Sequence, residues 1–215
     1  NDNYMLSMEV AKFVDAQEKM ISQLKKMGHE FTVIREMEAP LVERWQMFLG
    51  LVLPIQLKVV EECGFAADQS GLTLYNEQLM ALSEESQELL NQNKEKWSFL
   101  LKEAFDVSEY QEISLEKAQD LVSHISEAMI SDEFLAEVDE FAKNMHPASP
   151  LQMKRKELLN ILFPLHKKVM AEHGFEGDKG YILAQRALMD YYYDPFIKEQ
   201  ASIAQKVLFE RAKLL

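Results

Sequence analysis

Apolar residues in this chain recur at intervals of three and four instead of alternating. The stretch 84–105 shows the pattern most clearly. Leu89, Leu90, Trp97, Leu100, Leu101 and Phe105 stand against Asn91, Lys94, Glu95 and Lys102, which places the two sets on opposite faces of a helix of 3.6 residues per turn. With 7 Gly and 6 Pro in 215 residues, the chain has few points at which such helices can be interrupted. The expected fold is all-α.

Start and stop signals divide the pattern into elements. Ser7 is expected to cap a helix that Gly28 ends near Met27, and a second helix runs from Pro40 to about Cys63. Pro54 lies inside it, where a missing N–H and a ring pressed on the preceding turn predict a kink or break. Further helices are expected over 69–82 and 84–105, over 114–145 with room for an interruption near Ser131, and over 150–173 and 179–191. Asp194-Pro195, a capping acid followed by a first-turn proline, opens a last helix to about Lys213.

Two of these stretches resemble each other. With Gly64 laid on Gly174, an offset of 110 (174 − 64), Pro40-Leu41 meets Pro150-Leu151, Leu49 meets Leu159 and Pro54 meets Pro164. Lys58-Val59, Glu62, Phe65 and Asp68 also find identical partners, so about a third of positions 41–68 agree without a gap. Upstream, Ser7, Glu9 and Ala11 match Ser114, Glu116 and Ala118 at an offset of 107 (114 − 7), and downstream the second copy has one residue fewer before its glycine. The pattern predicts two homologous domains, 1–108 and 109–215, of about four helices each. They would pack as a pseudo-symmetric pair with Pro-kinked second helices, a pseudo-dimer within one chain.

The repeated phrase Gly64-Phe65-Ala66-Ala67-Asp68 and its twin Gly174-Phe175-Glu176-Gly177-Asp178 reads as a helix corner. The glycine would take the left-handed conformation that ends a helix, and the phenylalanine would fold back on Val60 or Met170 one turn earlier. Asp68 and Asp178 stand where a carboxylate could cap the next helix. Neither loop has the spaced oxygens of a calcium site, since each supplies one carboxylate.

A formal net charge of −13 argues against direct binding to nucleic acid or to an anionic membrane, both of which require clustered Lys and Arg. No apolar run reaches the roughly 18 residues of a membrane helix. Cys63 is the single cysteine, so a disulfide scaffold is excluded and a reducing, cytoplasmic compartment is the default expectation. Because the chain opens on Asn1 instead of Met, organelle targeting stays open.

Candidate chemistry is sparse. His166 and His173 lie seven apart on one helix, with Glu172 adjacent, a combination able to ligate zinc or exchange protons. Their repeat partners are Gln56 and Cys63; the plainer reading is a polar stripe with a cation at a helix end. His29, His124 and His146 are scattered, and no phosphate-binding glycine loop, nucleophile elbow or HExxH occurs. No cofactor, metal or catalytic residue is expected. Tyr191, Tyr192 and Tyr193 are different: successive helical residues point about 100° apart, so at least one should reach the surface. They align with Ala81, Leu82 and Ser83, which makes them candidates for an interface with another protein.

Taken together, Ser7, Glu9 and Ala11, the Leu53-Pro54 bend, and the Gly64-Phe65-x-x-Asp68-x-x-Gly71 corner resemble the Protein C-ten family. The second half carries Ser114, Glu116, Ala118, Phe163-Pro164, Gly174, Phe175, Asp178 and Gly180, with a shortened spacing from Asp to Gly. The resemblance implies an all-helical, intracellular eukaryotic protein without enzymatic activity, here in tandem. The expected function is that of an adaptor or structural subunit in a larger assembly. A carrier of a small apolar ligand between the halves, and a metal-dependent enzyme centred on His166, Glu172 and His173, are the alternatives.

Overall fold

A computed structural model describes residues 2–214, with side chains from residue 7 onward. Among these residues the chain forms ten α-helices and no strand. They are α1 (Asp2–Lys25), α2 (Gly28–Glu36), α3 (Leu41–Glu62), α4 (Gln69–Glu85), α5 (Gln87–Phe105), α6 (Leu115–Met129), α7 (Asp132–Asn144), α8 (Leu151–Glu172), α9 (Gly177–Met189) and α10 (Pro195–Arg211). No helix among the described residues is long and apolar enough to cross a membrane. The chain divides into two compact units, Asn1–Tyr110 and Gln111–Leu215.

In the first unit α1 packs on α3 and α5, α2 lies on α5 and α3, and α4 lies on α3 and α5. The core centres on Phe48, which is fully buried and whose ring lies 5.1 Å from Trp45, 5.2 Å from Phe105, 5.9 Å from Phe31 and 6.4 Å from Trp97. Such tilted and edge-on contacts suit the ring quadrupoles and add to the hydrophobic gain. In the second unit α6 packs on α8 and α10, α9 packs on α8, and α7 lies on α10. Phe134, Val138, Leu158, Leu162 and Leu208 form the buried centre of this unit.

Five helices stand in each unit where about four are expected. Gly28 does not end the first helical region; it opens α2, and only the turn at Lys26-Met27 separates α1 from it. Phe31 and Ile34 supply the apolar stripe that holds this short helix down. Ser131 caps α7 by accepting from the Phe134 N–H, so the long segment 114–145 is two helices. Pro54 and Pro164 lie within α3 and α8, each 22 residues long and each running on past its proline.

Ser7 is not a cap, because α1 begins at Asp2 and carries Ser7 inside it. Ser114, by contrast, caps α6 and accepts from the Lys117 N–H. The burial pattern explains the difference. Phe13, Ala16, Gln17, Met20 and Ile21 are buried on α1, and Ala118, Leu121, Val122, Ile125 and Ser126 on α6. These sets superpose at an offset of 105 (118 − 13), not 107. The Ser-x-Glu-x-Ala letters therefore coincide at positions that face differently, Ala11 outward and Ala118 inward.

The two corners share one geometry. Gly64 has φ +90 and Gly174 φ +88. The Gly64 N–H donates to the Glu61 carbonyl at 2.9 Å and the Phe65 N–H to the Val60 carbonyl at 3.2 Å; Gly174 and Phe175 donate to Ala171 and Met170 at 3.0 and 2.9 Å. This paired closure satisfies carbonyls that a helix end otherwise leaves open. A second glycine serves each corner. A Cβ at Gly71 would lie 1.9 Å from the Ala66 carbonyl oxygen, and one at Gly180 would lie 2.2 Å from the Phe175 carbonyl carbon.

Candidate functional site

The three tyrosines sit in a turn. α9 ends at Met189, so Tyr191, Tyr192 and Tyr193 link it to α10 instead of continuing the helix to Tyr191 as the pattern suggests. The Tyr191 hydroxyl donates to the Ile113 carbonyl at 2.6 Å, and burial, helped by the neighbouring Asp190 charge, pushes its phenol up from the ordinary range. Asp194 caps α10 through the Ile197 N–H at 3.0 Å and also accepts from Gln119 Nε2 at 3.3 Å. The turn is thereby stitched to the start of α6. Tyr193 is half-buried, while Tyr192 keeps 41% of its surface exposed and Phe196, on the first turn of α10, keeps 40%.

Phe196 helps to line an open groove of about 540 Å³ together with Ser114, Glu116, Lys117, Gln119 and Asp120 of the α6 start. The groove is open to solvent and its lining is mixed polar and apolar. Of the predicted cluster, Tyr192 is the most exposed residue, although burial of its phenol, with Tyr181 nearby, pushes that group up to about 12, and Tyr191 is tied to the Ile113 carbonyl.

The corner residues divide by role. Asp68 caps α4, with its Oδ1 accepting from the Gly71 N–H at 2.9 Å. Asp178 does not cap α9: the missing residue moves the N-cap to Glu176, and Asp178, inside the first turn, pairs with Lys167. Phe65 packs edge-on against Tyr75 at 5.8 Å and against Phe13 at 6.3 Å, whereas Phe175 is buried.

The histidines fall out differently from the expected pair. His166 is half-buried, its Nε2 is sealed from solvent without a partner, and burial depresses its pKa to about 4. It lies two turns, roughly 10 Å, along α8 from His173 and does not meet it. His173 instead occupies the C-cap of α8, where its Nε2 lies 2.6 Å from Nδ1 of His124 on α6. The rings are 4.8 Å apart and tilted by 52°. Asp120, one turn before His124, completes a group whose ligating atoms all lie within 4.8 Å of one another. Glu172 points into solvent and takes no part. The sequence signal for this cluster was the four-residue spacing of Asp120 and His124, which puts both on one helix face; its third member comes from a different helix.

Compared with known proteins, the chain matches no family model, no curated protein and no solved structure.

Proposed function

We propose that this protein is a non-catalytic helical interaction protein, an adaptor or subunit that contacts another protein through the turn between α9 and α10 and the groove beside it. The observation that carries this reading is the pairing of exposed Tyr192 and Phe196 with a rigidly anchored base. Tyr191 is tied to Ile113 and Asp194 to Gln119, so the aromatic pair is presented without a large ordering cost on binding. The groove rim carries Glu116 and Asp120 against Lys117, and with a chain charge of −13 a partner segment bearing apolar and basic side chains fits it.

The reading also takes the chain as a tandem duplication of a domain resembling Protein C-ten. The matched corners support this, with positive φ at Gly64 and Gly174 and closely approached backbone at Gly71 and Gly180. So does the placing of Pro54 and Pro164 at the same point within helices of equal length.

Affinity purification of the full chain from cells that express it, compared with a Tyr192→Ser/Phe196→Ser variant, tests the interface. Defined partners should copurify with the parent and be lost or strongly reduced with the variant. Recovery of identical partners with both would remove this surface from the interaction. Tyr191 is left intact because its hydroxyl holds the turn.

A further inference from the structure

His124 and His173 come from different helices, and their facing nitrogens are 2.6 Å apart. One of these ring nitrogens donates and the other accepts, and each is a nitrogen that can ligate a metal. Asp120 stands one turn before His124 on the same face of α6, and its carboxylate oxygen falls with both nitrogens inside a 4.8 Å group. His173 is fixed by the corner that follows it: its own N–H is bonded to the Met170 carbonyl at 3.1 Å, and Gly174 closes the helix immediately after it.

The first unit offers an internal comparison. In the register given by the buried residues, an offset of 105, His124 corresponds to Lys19 and Asp120 to Asp15. Lys19 reaches across from α1 to Glu62 at the end of α3 and forms an ion pair there. His124 likewise reaches across from α6 to the end of α8. Where the first unit sets Lys19 against Glu62, the second sets His124 against His173, with Asp120 one turn away on α6.

We propose that Asp120, His124 and His173 bind a divalent first-row transition ion, zinc foremost. Two imidazole nitrogens and one carboxylate oxygen form a borderline-hard donor set suited to zinc, with the fourth position left for water or a partner's side chain. Metal–nitrogen bonds of about 2.0–2.1 Å in tetrahedral geometry require the nitrogens to part to roughly 3.3 Å. His124 is exposed and can make that adjustment by side-chain rotation alone. The site borders the groove, since Asp120 lines it. It nevertheless stands independently of the interaction reading, because its test requires no protein partner.

Titration of the full metal-free chain with zinc chloride, followed by calorimetry in a non-chelating buffer, should give one saturable site. His124→Ala and His173→Ala should each weaken it at least tenfold, and a His29→Ala/His146→Ala variant should bind as the parent does. His124→Lys, which replaces an imidazole ligand on an exposed helix position with an ammonium, should abolish the site while leaving the circular dichroism unchanged. Nitrogen NMR of the labelled full chain gives a second reading: zinc should move the imidazole signals of His124 and His173 and leave those of His29, His146 and His166 in place. Absence of a saturable site in the parent, binding that survives both alanine replacements, or signal changes confined to the other histidines would each overturn the proposal.

Discussion

Arg186 and Asp190 form an ion pair one turn apart on the end of α9, and the arginine side chain is wholly buried. Both terminal guanidinium nitrogens reach the same carboxylate oxygen, Oδ2, at 2.9 and 2.8 Å, and Asp190 is itself only 12% exposed. The pair sits immediately before Tyr191, where Asp190 is the C-cap of α9. Asp190→Asn takes away a carboxylate that compensates the buried guanidinium and should lower stability in urea unfolding, by about 1–3 kcal/mol.

Glycine replacements should rank by what the added Cβ meets. Gly64→Ala and Gly174→Ala place a side chain at positive φ in otherwise open space and should cost about 1 kcal/mol each. Gly71→Ala and Gly180→Ala drive a Cβ into backbone that cannot rotate away. They should destabilise by several-fold more, about 3 kcal/mol or above. Thermal unfolding of the four variants checks the order; equal losses would remove the close approach as the cause.

Acid should weaken the fold through His166. Its pKa is about 4 in the native state because the ring is buried, against about 6.5 when unfolded. Between these values the unfolded chain holds a proton that the folded chain does not, so stability rises with pH across this window. The contribution is complete above pH 6.5 and is lost as pH falls toward 4, by about 3 kcal/mol in all. Because the repeat partner of His166 is the buried Gln56, His166→Gln should flatten this limb of the stability profile. An unchanged slope would assign the acid sensitivity to other groups.

The two corner aspartates should respond unequally to alanine. Asp68→Ala removes the cap of α4 and should cost about 1 kcal/mol. Asp178→Ala breaks only an exposed pair with Lys167 and should cost less than about 0.5 kcal/mol. Chemical denaturation of both variants side by side measures the difference, and salt should reduce only the second effect.

The corners were legible because everything that makes them is local. A glycine, the residue beyond it and the carbonyls one turn back lie within six positions, so the sequence pattern carries the geometry. α2 was hidden by the same logic, since Gly28 has the letter of a stop and its helix is held by Phe31 and Ile34 against other helices. The Asp178 cap failed through one missing residue, which rotates the start of α9 past it. The meeting of His124 with His173 depends on how α6 crosses α8, information that no spacing along one helix contains. Lys96 and Arg186, both buried, interrupt apolar faces with charges that a hydropathy pattern assigns to solvent.

The close approach at Gly71 and Gly180 has a genetic consequence. Every missense change that one base can make in a glycine codon introduces a side chain with a Cβ, and at these two positions the backbone leaves it no room. Gly50, where an added Cβ meets nothing within 4 Å, carries no such restriction. Natural variation in this gene should therefore be purged more strongly from codons 71 and 180 than from codon 50.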